Sequence, residues 1–395
     1  MSTMRSSNDH SVGNLLIRNA RIWTRPGAPI SQPRDVWVRN GRIEAIESSL
    51  DPSEGVPELD VNGRVVTAGF WNCHVHLTEP VWRGTSIEAR RRQQDALDDM
   101  LSSRGFSSVV DLASPPHTTS SLIHQIETGR LRGPGVVTAG VGILPQRGTP
   151  FYIKADVPWF LRWKLPKPAT ASGARRAVAA QVRGGAGVVK LFTGSYVTPD
   201  RVKPMRHDVA RAAVTEAHRH GLRVFAHTSD KAGTEVAIEA GVDALAHVPD
   251  SAEGTVPLLE DAARRGIRVV PTLHMFAATV RTDDDYLQPL YESLRSFVGA
   301  GGRVLFGTDV GYMRDRDTRG EFQAMEHSGL SVDDILRSLT VEPAEFFGDE
   351  TAGTVEVTNR ADLTVLDCST NSPAGSDLAD VHATIRSGEV IWQRT

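Results

Sequence analysis

Cysteine is nearly absent from this chain: two residues in 395, Cys73 and Cys368. Two thiols so far apart cannot build a disulfide framework, and a reducing cytoplasm is the expectation. Long apolar runs are missing as well. The opening MSTMRSSNDHSVGNLLIRNA has no stretch of signal-peptide length, and no later run approaches the ~20 apolar residues of a membrane span. No membrane partner is therefore expected. Nor does one sign of charge prevail. Lys and Arg total 44 against 48 Asp and Glu, a formal net charge of −4, which offers no global basic field for nucleic acid. What is present, 40% hydrophobic and 23% charged residues, describes a folded globule. Its length suits one large domain and a smaller one. The expected partner is a small-molecule substrate, with room for a homo-oligomer.

The pattern along the chain divides it. Residues 1–13 read as a disordered polar start. LLIRNARIW and DVWVRNGRIEAI alternate apolar and polar residues, with Asn40-Gly41 as a hairpin signal, and ELDVNGRVVTAG repeats this around Asn62-Gly63. ADLTVLD and HATIRSGEVIWQ near the end are again strands, the latter turning at Ser387-Gly388. Each flank alone buries too little, so residues 14–67 and 352–395 are expected to combine into a small composite β-sandwich domain.

Between them, over 68–351, eight short apolar runs alternate with helical stretches: GFWNCHVHL, SSVVDLA, GVVTAGVGI, GVVKLFT, LRVFAHT, VDALAHV, IRVVPTLH and RVLFGTD. From His207 to His220, Val209, Ala212, Ala213 and Ala217 share one helix face and Gly221 stops it. Eight such units predict a (β/α)8 TIM barrel, with a doubly wound open sheet as the alternative left by pattern alone.

The chemistry-bearing residues sit at the ends of those runs. His74 and His76 are one residue apart in a strand, so both imidazoles face one side and offer half a metal site. Alone, such a pair is more often an accident of an exposed strand. His227, His247 and Asp309 change that balance, because each closes a predicted strand on the face where barrel active sites sit. A hydrogen-bonded histidine or a helix-capping aspartate would explain any one of them; one metal site explains all. Lys190 lies among Val188, Val189, Leu191 and Phe192, where an unpaired ammonium costs heavily. It is either salt-bridged, or extended to solvent at the strand end, or a neutral amine able to take up carbon dioxide as an anionic carbamate.

This set resembles the amidohydrolase superfamily: HVH on strand one, Lys on strand four, His on strands five and six, Asp on strand eight. Within it, the chain is most similar to the imidazolonepropionase-like and prolidase-like binuclear enzymes. The opening IRNARIW…VRNGRIEAI…VVTAGFWNCHVHL and the ending NRADLTVLD…ATIRSGEVIW extend the likeness over nearly the whole chain. The resemblance implies two divalent ions. His74, His76 and Asp309 would hold the more buried ion, His227 and His247 the outer one, and N6-carboxylated Lys190 would bridge them. Zinc is the expected ion for so much imidazole, with manganese, iron and cobalt as alternatives. The implied reaction is hydrolysis of an amide C–N bond in an N-acyl amino acid, dipeptide or cyclic or aryl amide, with Asp309 as catalytic proton shuttle.

One departure is Asn72, where relatives often carry Asp. An alternative function is deamination of a heteroaromatic ring, but deaminases of this superfamily usually lack the strand-four lysine and carry His-x-x-Glu, whereas Asp230 stands three residues after His227 here. A non-catalytic scaffold would have lost ligands, and every expected position is filled. Substrate contacts are expected from post-strand residues Tyr152, Tyr196, Arg83, Tyr312 and His274, with ordinary loop packing as the competing reading for each. Trp159, Phe160 and Trp163 in the loop 142–168 suggest a lid or a packing surface.

Overall fold

The computed structural model describes residues 13–51, 55–157 and 159–395, so residues 1–12 of the polar start lie outside the description. The first strands are β1 (Leu15–Ile22), β2 (Pro33–Arg39), β3 (Arg42–Glu47), β4 (Glu58–Asp60) and β5 (Val65–Ala68). The asparagine–glycine pair at the β2–β3 turn has φ of 51° and 75°, the double left-handed geometry of a tight hairpin. Asn62-Gly63 turns the chain in the same conformation, yet β4 and β5 do not pair with each other. Both run parallel to β1, one against each half of it.

The second group follows. It comprises β6 (Phe70–Val75), β7 (Phe106–Asp111), β8 (Gly135–Thr138), β9 (Val188–Phe192), β10 (Gly194–Thr198), β11 (Arg201–Pro204), β12 (Arg223–His227), β13 (Ala244–Ala246) and β14 (Arg268–Val270). Seven of the eight apolar runs are regular strands. The eighth, RVLFGTD, is held only by isolated parallel bridges, Val304 to Val269 and Val310 to Val75. Its glycine, Gly307, packs so closely on His74 and Val270 that a Cβ would overlap their side chains.

The regular parallel strands form two sheets, β6-β7-β8 and β14-β13-β12-β9, rather than one closed eight-stranded barrel. Parallel bridges link them on both sides, through Ile143 to Leu191 and through Val310 to Val75. The architecture is mixed α/β, with helices such as His207–Arg219 between strands. That helix buries Val209, Ala212, Ala213 and Ala217 as its spacing requires, and Gly221 follows at φ 70°. The hairpin β10–β11 was not legible in the pattern. His117 lies in the first turn of the helix Pro116–Glu127.

The chain closes with β15 (Leu363–Leu366), β16 (Val381–Arg386) and β17 (Glu389–Gln393). β15 pairs with β5, so the two ends of the chain share one eight-stranded sheet, where two facing sheets of a sandwich were expected. Its apolar face is a core of its own, including Ile17, Val36, Val38, Leu363 and Ile385. Among the described residues, no helix is long and apolar enough to cross a membrane.

Candidate metal centre at the strand ends

Alternation along β6 sends Cys73 and Val75 into separate apolar clusters and leaves His74 and His76 on a common side, their rings 5.2 Å apart. Asp309 meets them: its Oδ1 lies 3.3 Å from His74 Nε2 and 3.0 Å from His76 Nε2. The ligand atoms of these three residues fall within 4.8 Å of one another, close enough to share one ion. Asp309 Oδ2 is 3.9 Å from His247 Nε2, and the His247 ring stacks 4.7 Å from His74 and stands 4.9 Å from His227. Lys190 Nζ sits 5.5 Å from the ring of Phe192, which in turn lies 5.0 Å from the His227 ring. All six residues are thus brought to one place from five different strands or strand ends.

The backbone at this mouth is unusual. Asp309, Thr272 and Ala113 have φ of 60°, 49° and 119°, a region that residues other than glycine seldom enter. Each makes a contact in the centre. Asp309 donates its amide to His74 O at 2.8 Å, which fixes the carboxylate opposite the imidazoles. The Ala113 carbonyl accepts from His76 Nδ1 at 3.2 Å. Thr272 Oγ1 donates to Pro271 O at 2.8 Å and therefore accepts from His247 Nδ1 at 2.6 Å. In both histidines the proton is placed on Nδ1, and Nε2 is left as a lone-pair donor facing Asp309. Gly311, at φ 97°, brings the next turn against His76; a Cβ there would overlap the His76 carbonyl oxygen.

Asn72, the departure noted in the sequence, acts on backbone rather than on a ligand ring. Its Oδ1 accepts from the amides of His74 (3.1 Å) and Thr308 (3.2 Å), and its Nδ2 donates to Thr308 Oγ1 (2.8 Å). It ties the first and last strands of the centre together.

Electrostatics favour neutral imidazoles. Burial and the nearby Lys190 charge hold His74, His227 and His247 well below the usual histidine range. Burial pushes the Lys190 ammonium down to about 7, opposed by Asp309. Lys190 is 1% exposed and no ion pair joins it to a carboxylate among the described residues, so neither the salt bridge nor escape to solvent accounts for it. Two ring nitrogens of His74 and one oxygen of Asp309 are buried without a hydrogen-bond partner. Orphaned donors of this kind in one cluster are the pattern a cation satisfies. The donor set therefore fits a divalent metal.

Replacing Thr272 by Val keeps the side chain's shape and removes the hydroxyl that orients His247. Metal affinity, read by chelator competition, should fall roughly 10–100-fold. Unchanged affinity would show that the contact does not orient a ligand.

The expected substrate contacts divide. Tyr152 reaches the centre, its hydroxyl 3.5 Å from His227 Nε2, and Tyr312 packs on it at 5.6 Å between ring centroids. Tyr196 stands at the same mouth against Asp250. His274 does not follow a strand freely into the mouth: it starts the helix Leu273–Thr279, its amide donates to buried Glu321 at 2.7 Å, and its Nε2 pairs with Asp315 at 2.9 Å. Arg83 is exposed and no side-chain contact ties it to the centre among the described residues. Of the loop aromatics, Trp159 and Trp163 stand 79% and 75% exposed and cover nothing. Thr272, Ala113 and Asp250 carry no sequence signal beyond their places just after predicted strands.

The amidohydrolase family profile matches residues 65–391, most of the chain and all six residues of the centre. The chain belongs to the amidohydrolase family. That is a family of metal-dependent hydrolases acting on carbon–nitrogen bonds. The amidohydrolase is 31% identical to an uncharacterized protein of Mycobacterium tuberculosis over 312 residues, 78% of this chain and 71% of that one. It is 33% identical to a dihydroorotase of Streptococcus pneumoniae over 116 residues, a match covering 29% of this chain and only 24% of the relative. In three dimensions it resembles a Xaa-Pro dipeptidase crystallised with methionine in its active site, with a TM-score of 0.81 at 20% identity over 96% of this chain and 100% of that one.

Proposed function

We propose that this amidohydrolase cleaves an amide C–N bond in a small molecule: an N-acyl amino acid, a dipeptide or a cyclic or aryl amide. The observation that carries the reading is the convergence of His74, His76, His227, His247, Lys190 and Asp309, with unpartnered nitrogen and oxygen atoms among them. The bridged parallel sheets support a (β/α)8 barrel over residues 68–351, with residues 14–67 and 352–395 as the smaller β-domain. The similarity to a dipeptidase supports the substrate class.

In this reading His74, His76 and Asp309 would hold one dication and His227 and His247 a second, with zinc the ion that suits these donors. When bound, the pair supplies Lewis acidity to the scissile carbonyl and lowers the pKa of the attacking water. The residues do the rest. The neutral Lys190 amine would add to carbon dioxide, forming an N–C bond and releasing one proton, and the resulting carbamate anion would supply a ligand that both ions could share. Asp309 accepts the proton of the attacking water and returns it to the amide nitrogen as the C–N bond breaks. Tyr152, whose hydroxyl lies 3.5 Å from His227 Nε2, would contact the substrate.

A panel of N-acyl amino acids, dipeptides and lactams, run beside adenine-, cytosine- and guanine-type amines, tests the reaction class. Cleavage of at least one amide class without ammonia release from the ring amines is expected. Ammonia release with no amide cleaved would overturn the proposal in favour of deamination.

A further inference from the structure

Beside the centre, the same mouth holds a second cluster that the reaction does not use. Asp250 lies on the loop after β13, three residues past His247. Its Oδ1 is shielded from solvent and has no hydrogen-bond partner, and no cation pairs with it among the described residues. Tyr196 of β10 donates toward the Asp250 carboxylate. Tyr286, on the helix Asp284–Gly299, has a buried hydroxyl that likewise lacks a partner and lies within the field of Asp250. The cations near the cluster's members pair with other groups, Arg281 while also lying 6.0 Å from the Tyr286 ring. Lys154 donates to Val197 O at 3.3 Å, Lys231 pairs with Glu235 at 3.8 Å, and Arg281 pairs with Asp283 at 2.7 Å. Asp230 adds a second carboxylate, its Oδ1 capping the next helix through Gly233 N at 2.8 Å.

The cluster adjoins the centre on two sides. Tyr152, at His227, lies within the field of both Asp309 and Asp250. The ring of Phe276 stands 5.9 Å from His247 and 6.4 Å from Tyr286. Tyr152 and Phe276 thus border both the centre and the Asp250 cluster.

A buried carboxylate oxygen with no partner is unfavourable by itself, and burial pushes Asp250 up to about 7. Such an acceptor, with a second carboxylate and tyrosine rings around it, suits a positively charged nitrogen and repels an anion. We propose that Asp250, with Tyr196 and Tyr286, binds a primary ammonium group of the substrate, so that amides carrying a free amine, such as dipeptides, are preferred over N-acyl amino acids. The preference for one amide class rests on the hydrolytic reading above; the ammonium site does not.

The test uses the metal-loaded full chain and two readouts. In the first, dipeptides are compared with their N-acetylated counterparts. Asp250→Asn should lower kcat/KM for the free-amine members by at least about tenfold, mainly through KM, and leave the acetylated ones unchanged. In the second, equilibrium binding of phenethylamine is compared with that of phenethyl alcohol. Wild type should favour the amine, and Asp250→Asn should erase the difference. Tyr286→Phe should reduce the same preference in both readouts, which keeps the question decidable if Asp250→Asn does not fold. If no amide is cleaved, the hydrolytic reading falls and the binding comparison alone decides the ammonium site. Equal losses on free and acetylated peptides, or an amine preference that survives both substitutions, would overturn it.

Discussion

Asp309→Asn should lower kcat by ~10²–10⁴-fold, the usual contribution of a positioned acid–base group, while KM for the same amide changes far less. Asparagine keeps the size of the side chain and tolerates the left-handed backbone at φ 60°, so the turn that places residue 309 should survive. What it loses is the capacity to take a proton between the attacking water and the leaving amine. The carboxylate now lies 3.0–3.9 Å from three imidazole nitrogens, so metal content must be measured alongside turnover. A variant with full metal and a small loss in kcat would remove Asp309 from proton transfer. A variant that loses metal and turnover together would make it a ligand only.

Lys190→Ala should abolish turnover and regain part of it with added acetate or propionate. Lysine is 1% exposed in the β9 strand, paired in register with Phe225, and its removal leaves an enclosed gap where the four-carbon stem ran. A short carboxylate that enters the gap supplies the anion that the carbamate would have supplied between the two halves of the donor set. Lys190→Arg should not be rescued, because its side chain fills the gap and keeps a positive charge. Activity in Lys190→Ala without any added anion would show that no bridge is needed.

The parts of this centre that were legible in the sequence are those governed by strand periodicity. One intervening residue in HVH puts His74 and His76 on one side of β6, the positions of His227 and His247 at the ends of apolar runs put them at one mouth, and Lys190 stands out as a charge amid apolar neighbours in the middle of β9. The parts that were not legible depend on backbone conformation at single residues. Nothing in VVPTLH announces that Thr272 turns left-handed and presents its hydroxyl to His247, or that the chain then enters a helix that carries His274 away to Asp315. RVLFGTD reads as a strand as clearly as its neighbours do. It pairs through isolated bridges because Gly307 and Gly311 let it lie against His74 and His76 at the expense of a regular ladder. Asn62-Gly63 reads as a turn and forms one, but turn chemistry alone does not say that β4 and β5 then both align with β1.

The proposed reaction requires two metal ions joined by a modified lysine. A crystal structure of protein purified from metal-supplemented medium, with anomalous data collected across the zinc edge, tests this most directly. It should show two anomalous peaks, one at His74, His76 and Asp309 and one at His227 and His247, with density for a carboxyl group on Lys190 Nζ between them. A single peak or none, beside an unmodified Lys190, would contradict it.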